Sequence, residues 1–187
     1  IKDDLKIVIT EPKRTPERLI TSFISNNIDY IKKIIIQKEQ IKTKKQDKLE
    51  YLGNLYDICR INEKNIYIGD TTAFVGTKVN LDTWYKKKSK EVFETYYNNC
   101  FEQFKESKIK PDLKIRKMKS KWGVCNITNK TITLNQELIK LDSKYLEYVI
   151  YHELCHLKHP NHSKDFWNLV EVYIPNYKQI RKEMKNV

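Results

Sequence analysis

His152-Glu153-Leu154-Cys155-His156 runs on through Leu157-Lys158-His159 to Pro160-Asn161-His162. Two imidazoles four residues apart leave the same face of a helix, one turn above the other, so both can reach a single metal ion. Zinc is the natural occupant of such a pair. Glu153 stands beside the first ligand, where its carboxylate can act as general base on water without entering the coordination shell. A site of this kind hydrolyses. The chain has only four histidines, and all four fall in this one segment; that clustering lifts a short motif above chance.

The flanking residues support a helix. Leu146, Val149, Ile150, Leu154 and Leu157 recur at helical spacing as a stripe to be buried, and His152 and His156 lie off it. Asp142 or Ser143 can cap its start, while Pro160 biases His159 away from helical geometry, so the helix is predicted to stop just after His156. Zinc needs a third protein ligand and an open fourth position. His159 continues the helical spacing, but at about 1.5 Å rise per residue it would lie about 10 Å along the axis from His152. His162, beyond the Pro160-Asn161 turn, can swing back and is the favoured third ligand, with His159 left to the turn or to a supporting contact. Cys155 lies inside the motif but points elsewhere on the helix, so packing is its expected role.

Four blocks occur in order: Met118-Lys119-Ser120-Lys121-Trp122-Gly123-Val124-Cys125, then Ile132-Thr133-Leu134-Asn135, then Tyr148 through Leu157 across the motif, then Asn161-His162-Ser163 with Phe166-Trp167. In these the chain resembles the YgjP-like metallopeptidase domains, relatives of the SprT-like and WLM zinc peptidases. The resemblance is strong from about Leu113 onward and loose before it. It implies a gluzincin-like or minigluzincin-like zinc hydrolase with His152, His156 and His162 as ligands and Glu153 as general base. Lys121 and Val124 stand where the family pattern has Arg and Ser, so the planar arginine fork is absent here.

The 187 residues suffice for one domain with a real core. The expectation is a single domain over 1–187, with N-terminal strands and helix over 1–80 and a catalytic core over 81–187. No apolar run approaches a membrane span and no signal peptide is visible, which makes a cytoplasmic location the default. The chain opens at Ile1, so a few preceding residues are expected. Cys59, Cys100, Cys125 and Cys155 are widely spaced, without Cys-x-x-Cys, and suggest neither a disulfide framework nor a second zinc site. The net charge of +12 invites a nucleic-acid reading, but the lysines are scattered, and Lys86-Lys87-Lys88 reads as a solvated helix face. Tyr96, Tyr97, Phe101 and Phe104 recur at core spacing rather than as a stacking platform.

Along the chain, Lys6 to Thr10 can end a strand. Thr15-Pro16-Glu17 starts a helix with proline at the first helical position, its apolar face running from Leu19 to Ile35 with a break near Asn26-Asn27. Gln40 to Lys48 reads as helix end and loop. Strands are predicted at Tyr51–Ile61, Asn65–Ile68 and Ala73–Val75, and a long helix from Leu81 to Glu106 with Trp84, Tyr85, Val92, Phe93, Tyr96, Cys100, Phe101 and Phe104 inward. Strands at Leu113–Met118 and Thr131–Leu134, parted by a turn at Asn126–Asn129, precede the metal helix. Helices over Ser163–Tyr173 and Asn176–Met184 follow it. The order predicts an α+β fold with a zincin-like core, the metal helix packed on a small, mostly antiparallel sheet.

Thr131–Leu134 is expected to be an exposed edge to which an extended peptide could add, bringing its carbonyl to the zinc. A second oxyanion donor is expected, with Tyr177, Lys121 and Asn135 as candidates, although packing, solvation and a strand-end turn account for each as well. Trp122 and Trp167 could wall the cleft. The leading expectation is a zinc peptidase acting on a peptide or protein substrate. A zinc-dependent nucleotide phosphohydrolase trails it, since the chain has only four glycines and no phosphate loop, and so does a DNA-associated protease module. Neither the oligomeric state nor the cleavage specificity is legible in the residues.

Overall fold

The structure, a computed structural model, describes residue 8, residues 15–36 and residues 48–187. It divides into two compact units, Ile1–Leu49 and Glu50–Val187. The predicted strand at Lys6–Thr10 and the polar stretch Gln40–Lys48 lie outside the described residues, apart from Val8 and Lys48. In the first unit, α1 (Glu17–Asn26) has Pro16 at its N-cap and so starts one position later than the sequence suggests. It stops where the sequence signals a break: Asn27 donates its main-chain N–H to the Phe23 and Ile24 carbonyls and its side-chain amide to the Phe23 carbonyl at 2.8 Å. A second helix, α2, resumes over 28–36.

The division falls within β1 (Lys48–Tyr51), which opens a four-stranded sheet with β2 (Asn54–Ile61), β3 (Ile66–Ile68) and β4 (Thr72–Gly76) in the order β1-β2-β4-β3. One strand was predicted over Tyr51–Ile61, and two are found. Leu52 and Gly53 both take positive φ, 47° and 81°, and so fold the chain back in a tight turn. Leucine is a poor signal for such a turn. Gly53 is needed there for space as well, because a Cβ would lie 2.9 Å from the Asp142 Cα.

A second sheet holds β5 (Asp112–Arg116), β6 (Gly123–Asn126) and β7 (Thr131–Asn135) in the order β5-β7-β6. β5 runs parallel to β7 and β6 antiparallel to it, and in the first sheet β2 runs parallel to β4 and β3 antiparallel. Both sheets are therefore mixed rather than mostly antiparallel. In each, an earlier strand joins the second member of a hairpin and runs parallel to it. β6 went unread in the sequence, where only the turn after it stood out. Its presence overturns the expectation that Thr131–Leu134 is an edge. β7 is the central strand, buried at both ends, and β6 is the edge.

Between the sheets in sequence lies α3 (Leu81–Gln103), capped by the Asn80 side chain, which accepts from the Thr83 N–H at 3.0 Å. It buries Tyr85, Ser89, Phe93, Tyr97 and Cys100, so Tyr97 rather than Tyr96 faces inward. Lys87 and Lys88 sit on its outer side and both reach Glu91. After β7, a 3-10 turn (Gln136–Lys140) leads into α4 (Ser143–Cys155), which packs against β6 and β7, α3, α5 (Lys164–Tyr173) and α6 (Tyr177–Glu183). Among the described residues no helix is long and apolar enough to cross a membrane.

Asn135 holds the link between β5 and β6. Only 4% exposed, it donates to the Met118 and Lys121 carbonyls, both at 2.9 Å, and accepts from the Met118 and Glu137 N–H groups, both at 3.2 Å. Its amide is fully engaged, which removes it from the oxyanion candidates. Asn135→Ala would leave several main-chain groups unpaired, and we expect a loss of about 3 kcal/mol, read as a lower denaturation midpoint at unchanged m-value.

Candidate metal centre

α4 begins on the Asp142 carboxylate, which accepts from the Lys144 N–H at 3.0 Å. Leu146, Val149, Ile150 and Leu154 are buried as their spacing predicts. The helix ends at Cys155, with His156 as its cap, and the chain then turns through His159 and Pro160. Cys155 is fully buried, in keeping with a packing role.

His152, His156 and His162 come together. Their potential ligand atoms all lie within 4.8 Å of one another, and Nε2 of His152 is 3.0 Å from Nε2 of His162. Nitrogens around a tetrahedral zinc lie about 3.3 Å apart, so this spacing suits one ion. His159 does not join them through its ring. Its carbonyl oxygen instead lies 3.1 Å from His156 Nδ1, so the Nδ1–H donates to it and the lone pair is left on Nε2. Burial holds the His152 pKa down to about 3 and lowers that of His156, so both rings are neutral, the form that binds a metal.

His152 Nδ1 is buried with no hydrogen-bond partner among the described residues. Neither tautomer of the ring removes that cost, about 1–3 kcal/mol. Such a debt is tolerated where the other nitrogen serves a purpose.

Below the three imidazoles lies Phe166, whose ring centroid is 4.9 Å from that of His152, 4.6 Å from His156 and 4.8 Å from His162. Ser163 starts α5 by accepting from the Phe166 N–H at 3.3 Å, which sets that ring in place. His162 is exposed and lies outside any regular element, yet it is stacked on Trp167 at 5.4 Å and 20°. Trp167 is in turn stacked on Tyr177 at 5.2 Å and 12°, with the Arg181 guanidinium 4.6 Å from the Trp167 ring. Tyr177 thus supports the stack. In the sequence Trp167 is a candidate cleft wall and Phe166 belongs to the fourth block of the resemblance, while no spacing rule links Arg181 to the motif.

Glu153 is 5% exposed and faces β6. Burial raises its pKa to about 7, opposed by a hydrogen bond from the Cys125 main chain and by the charge of Lys121. β6 can come this close because residue 123 is glycine: a Cβ there would stand 2.5 Å from Glu153 Oε1 and 2.8 Å from Val149 Cγ1. The Trp122-Gly123 block is thereby explained by contact across the site. Beside Glu153 and His152 a cavity of about 300 Å³ opens, lined in part by Lys121, Trp122 and Tyr148.

The sequence model of a family described as YgjP-like, metallopeptidase domain, matches residues 1–187. Matching solved structures include the metallopeptidase zymogen abylysin of Pyrococcus abyssi, 25% identical over 52% of this chain and 92% of that one, with a TM-score of 0.41. They also include the metallopeptidase zymogen jannalysin of Methanocaldococcus jannaschii, 26% identical over 50% of this chain and 94% of that one, with a TM-score of 0.43. No curated protein matches.

Proposed function

The chain belongs to the YgjP-like metallopeptidase family, and on that premise we propose that it is a zinc peptidase holding its metal through His152, His156 and His162, with Glu153 as general base. The convergence of three imidazoles within 4.8 Å is the observation that carries this reading. A donor set of imidazole nitrogens suits zinc better than calcium or magnesium, which prefer oxygen. Bound there, zinc would supply Lewis acidity and make water acidic near neutral pH.

The chain's own residues do the rest. Glu153, with a pKa near 7, can take a proton from water and hold it on its carboxylate until the leaving amine needs it. Phe166 and the Trp167–Tyr177 stack hold the imidazoles rigid, so no reorganisation is needed during turnover. An extended peptide adds to the free edge of β6, the strand that lies against Glu153, rather than to β7. Lys121 or Tyr177 remains as the second oxyanion donor.

His162→Ala is expected to weaken zinc binding about hundredfold or more, as read by competition with a chelating dye, while the circular dichroism spectrum stays helical. Undiminished zinc affinity would remove His162 from the ligand set. The reaction is tested by incubating the zinc-loaded protein with denatured protein, mixed peptides and nucleoside triphosphates. Peptide products are expected; release of phosphate or pyrophosphate without any peptide cleavage would replace this reading with a phosphohydrolase.

A further inference from the structure

We propose that the cavity beside Glu153 receives a substrate residue bearing a carboxylate, a proposal that rests on the peptidase reading and narrows its substrate to acidic or free C-terminal peptides. The cavity, about 300 Å³, suits one side chain rather than a large ligand. Its floor is apolar, with Val149 and Met184 only 4% and 8% exposed. Its rim carries three cations, Lys121, Arg181 and Lys185, all exposed to solvent.

Lack of an ion pair is not peculiar to these three, since among the described residues Lys119 and Lys182 have none either; what is particular is that three such cations share one rim. Lys117, Lys140, Lys144, Lys158 and Lys178 each have a carboxylate within ion-pair distance. Among the described residues no ion pair joins an acidic group to Lys121, Arg181 or Lys185. The one carboxylate lining the cavity is Glu153, which is buried at its base. Arg181 is further restrained by the Trp167 ring beneath its guanidinium. Three unpaired positive charges around a cleft with low-dielectric walls concentrate their field on its mouth.

The combination chooses among anions. A bare phosphate is strongly hydrated and gains nothing from Val149 and Met184. A residue with an aliphatic stem and a terminal carboxylate satisfies floor and rim together. Two sources share that chemistry: a glutamate side chain within the peptide, and a C-terminal residue whose apolar side chain enters while its α-carboxylate stays at the rim.

The test is binding to the intact 187-residue chain, depleted of metal, measured by calorimetry or ligand-observed NMR. One probe pair is a short acetylated, amidated peptide with Glu or Gln at its centre; the other ends in Leu as free acid or amide. We expect the charged member of at least one pair to bind about tenfold tighter than its neutral partner, with the gap shrinking as salt rises. The pair that shows the gap identifies the source. Arg181→Gln with Lys185→Gln should bring the ratio below about twofold, and Lys121→Gln, alone, should lower it if the double variant does not fold. Equal binding within both pairs overturns the proposal, as does inorganic phosphate competing as well as the charged peptides. Carboxylate-dependent binding with no cleavage by the zinc-loaded protein would leave the cavity assignment standing and sink the peptidase reading instead.

Discussion

Glu153→Gln lowers peptide turnover about thousandfold while leaving zinc content unchanged, and it makes the metal-free protein more stable at neutral pH. The first half follows from removing the only carboxylate among the described residues that is buried beside the imidazoles, since a positioned general base is worth about 10²–10⁴ in rate. The second half follows from burial. In the folded, metal-free chain the Glu153 pKa rises from 4.5 to about 7. The folded state therefore holds a proton that the unfolded state releases between those values, and the contribution of Glu153 to stability falls as pH climbs from about 4.5 towards 7. At about 1.4 kcal/mol per pKa unit the penalty reaches about 3 kcal/mol. Glutamine keeps the acceptor for the Cys125 main chain and carries no charge, so it escapes the penalty. Urea denaturation of the chelated proteins at pH 5 and pH 8 reads it as a difference: the depressed His152 and His156 rings raise the stability of both proteins alike over that interval, and the wild type should gain less than the variant. Parallel pH profiles would mean that the carboxylate is solvated, and wild-type turnover in the variant would remove Glu153 as the base.

Gly123→Ala is expected to damage the site without touching a ligand. Its φ lies outside the left-handed region, so glycine is not required for backbone conformation. Space is what requires it. The added methyl would lie 2.5 Å from Glu153 Oε1, 2.7 Å from Glu153 Cγ and 2.8 Å from Val149 Cγ1, all closer than atoms can pack. Val149 is buried in the helix face and cannot step aside freely. Either β6 lifts from α4 or Glu153 swings away from the imidazoles. Overpacking of this kind costs about 1–3 kcal/mol, and a displacement of about 1 Å at the reacting group costs about 10² in rate. The expected result is a lower melting temperature together with kcat down about hundredfold at unchanged zinc affinity. Full activity would mean that β6 does not define the wall of the site.

Much of the site was legible because it is helical. The four-residue step from His152 to His156 is a property of the helix itself, and Asp142 and Pro160 mark the ends of that helix from their side-chain chemistry alone. His162 could be preferred over His159 on distance, and the structure brings its ring to the cluster and leaves the His159 ring out. The sheets were read less well. The Leu52-Gly53 turn carries one glycine and no asparagine, and β6 is four residues long, so neither leaves a periodic trace. Strand order is set by which earlier strand joins a hairpin, which no local pattern encodes; hence the sequence suggests β7 as the edge, and β6 provides it.

By itself the sequence determined the proposed donor set, the helix that carries two of its members and the carboxylate between them, since all of these depend on neighbours within a few turns of chain. Only the tertiary structure decided what surrounds them. The Phe166 floor, the Trp167 stack under His162, the approach of Gly123 to Glu153 and the cationic rim bring together residues from β6, α4, α5 and α6. Burial and charge at a point in space depend on every element that reaches it, and for Glu153 those elements come from separate stretches of the chain.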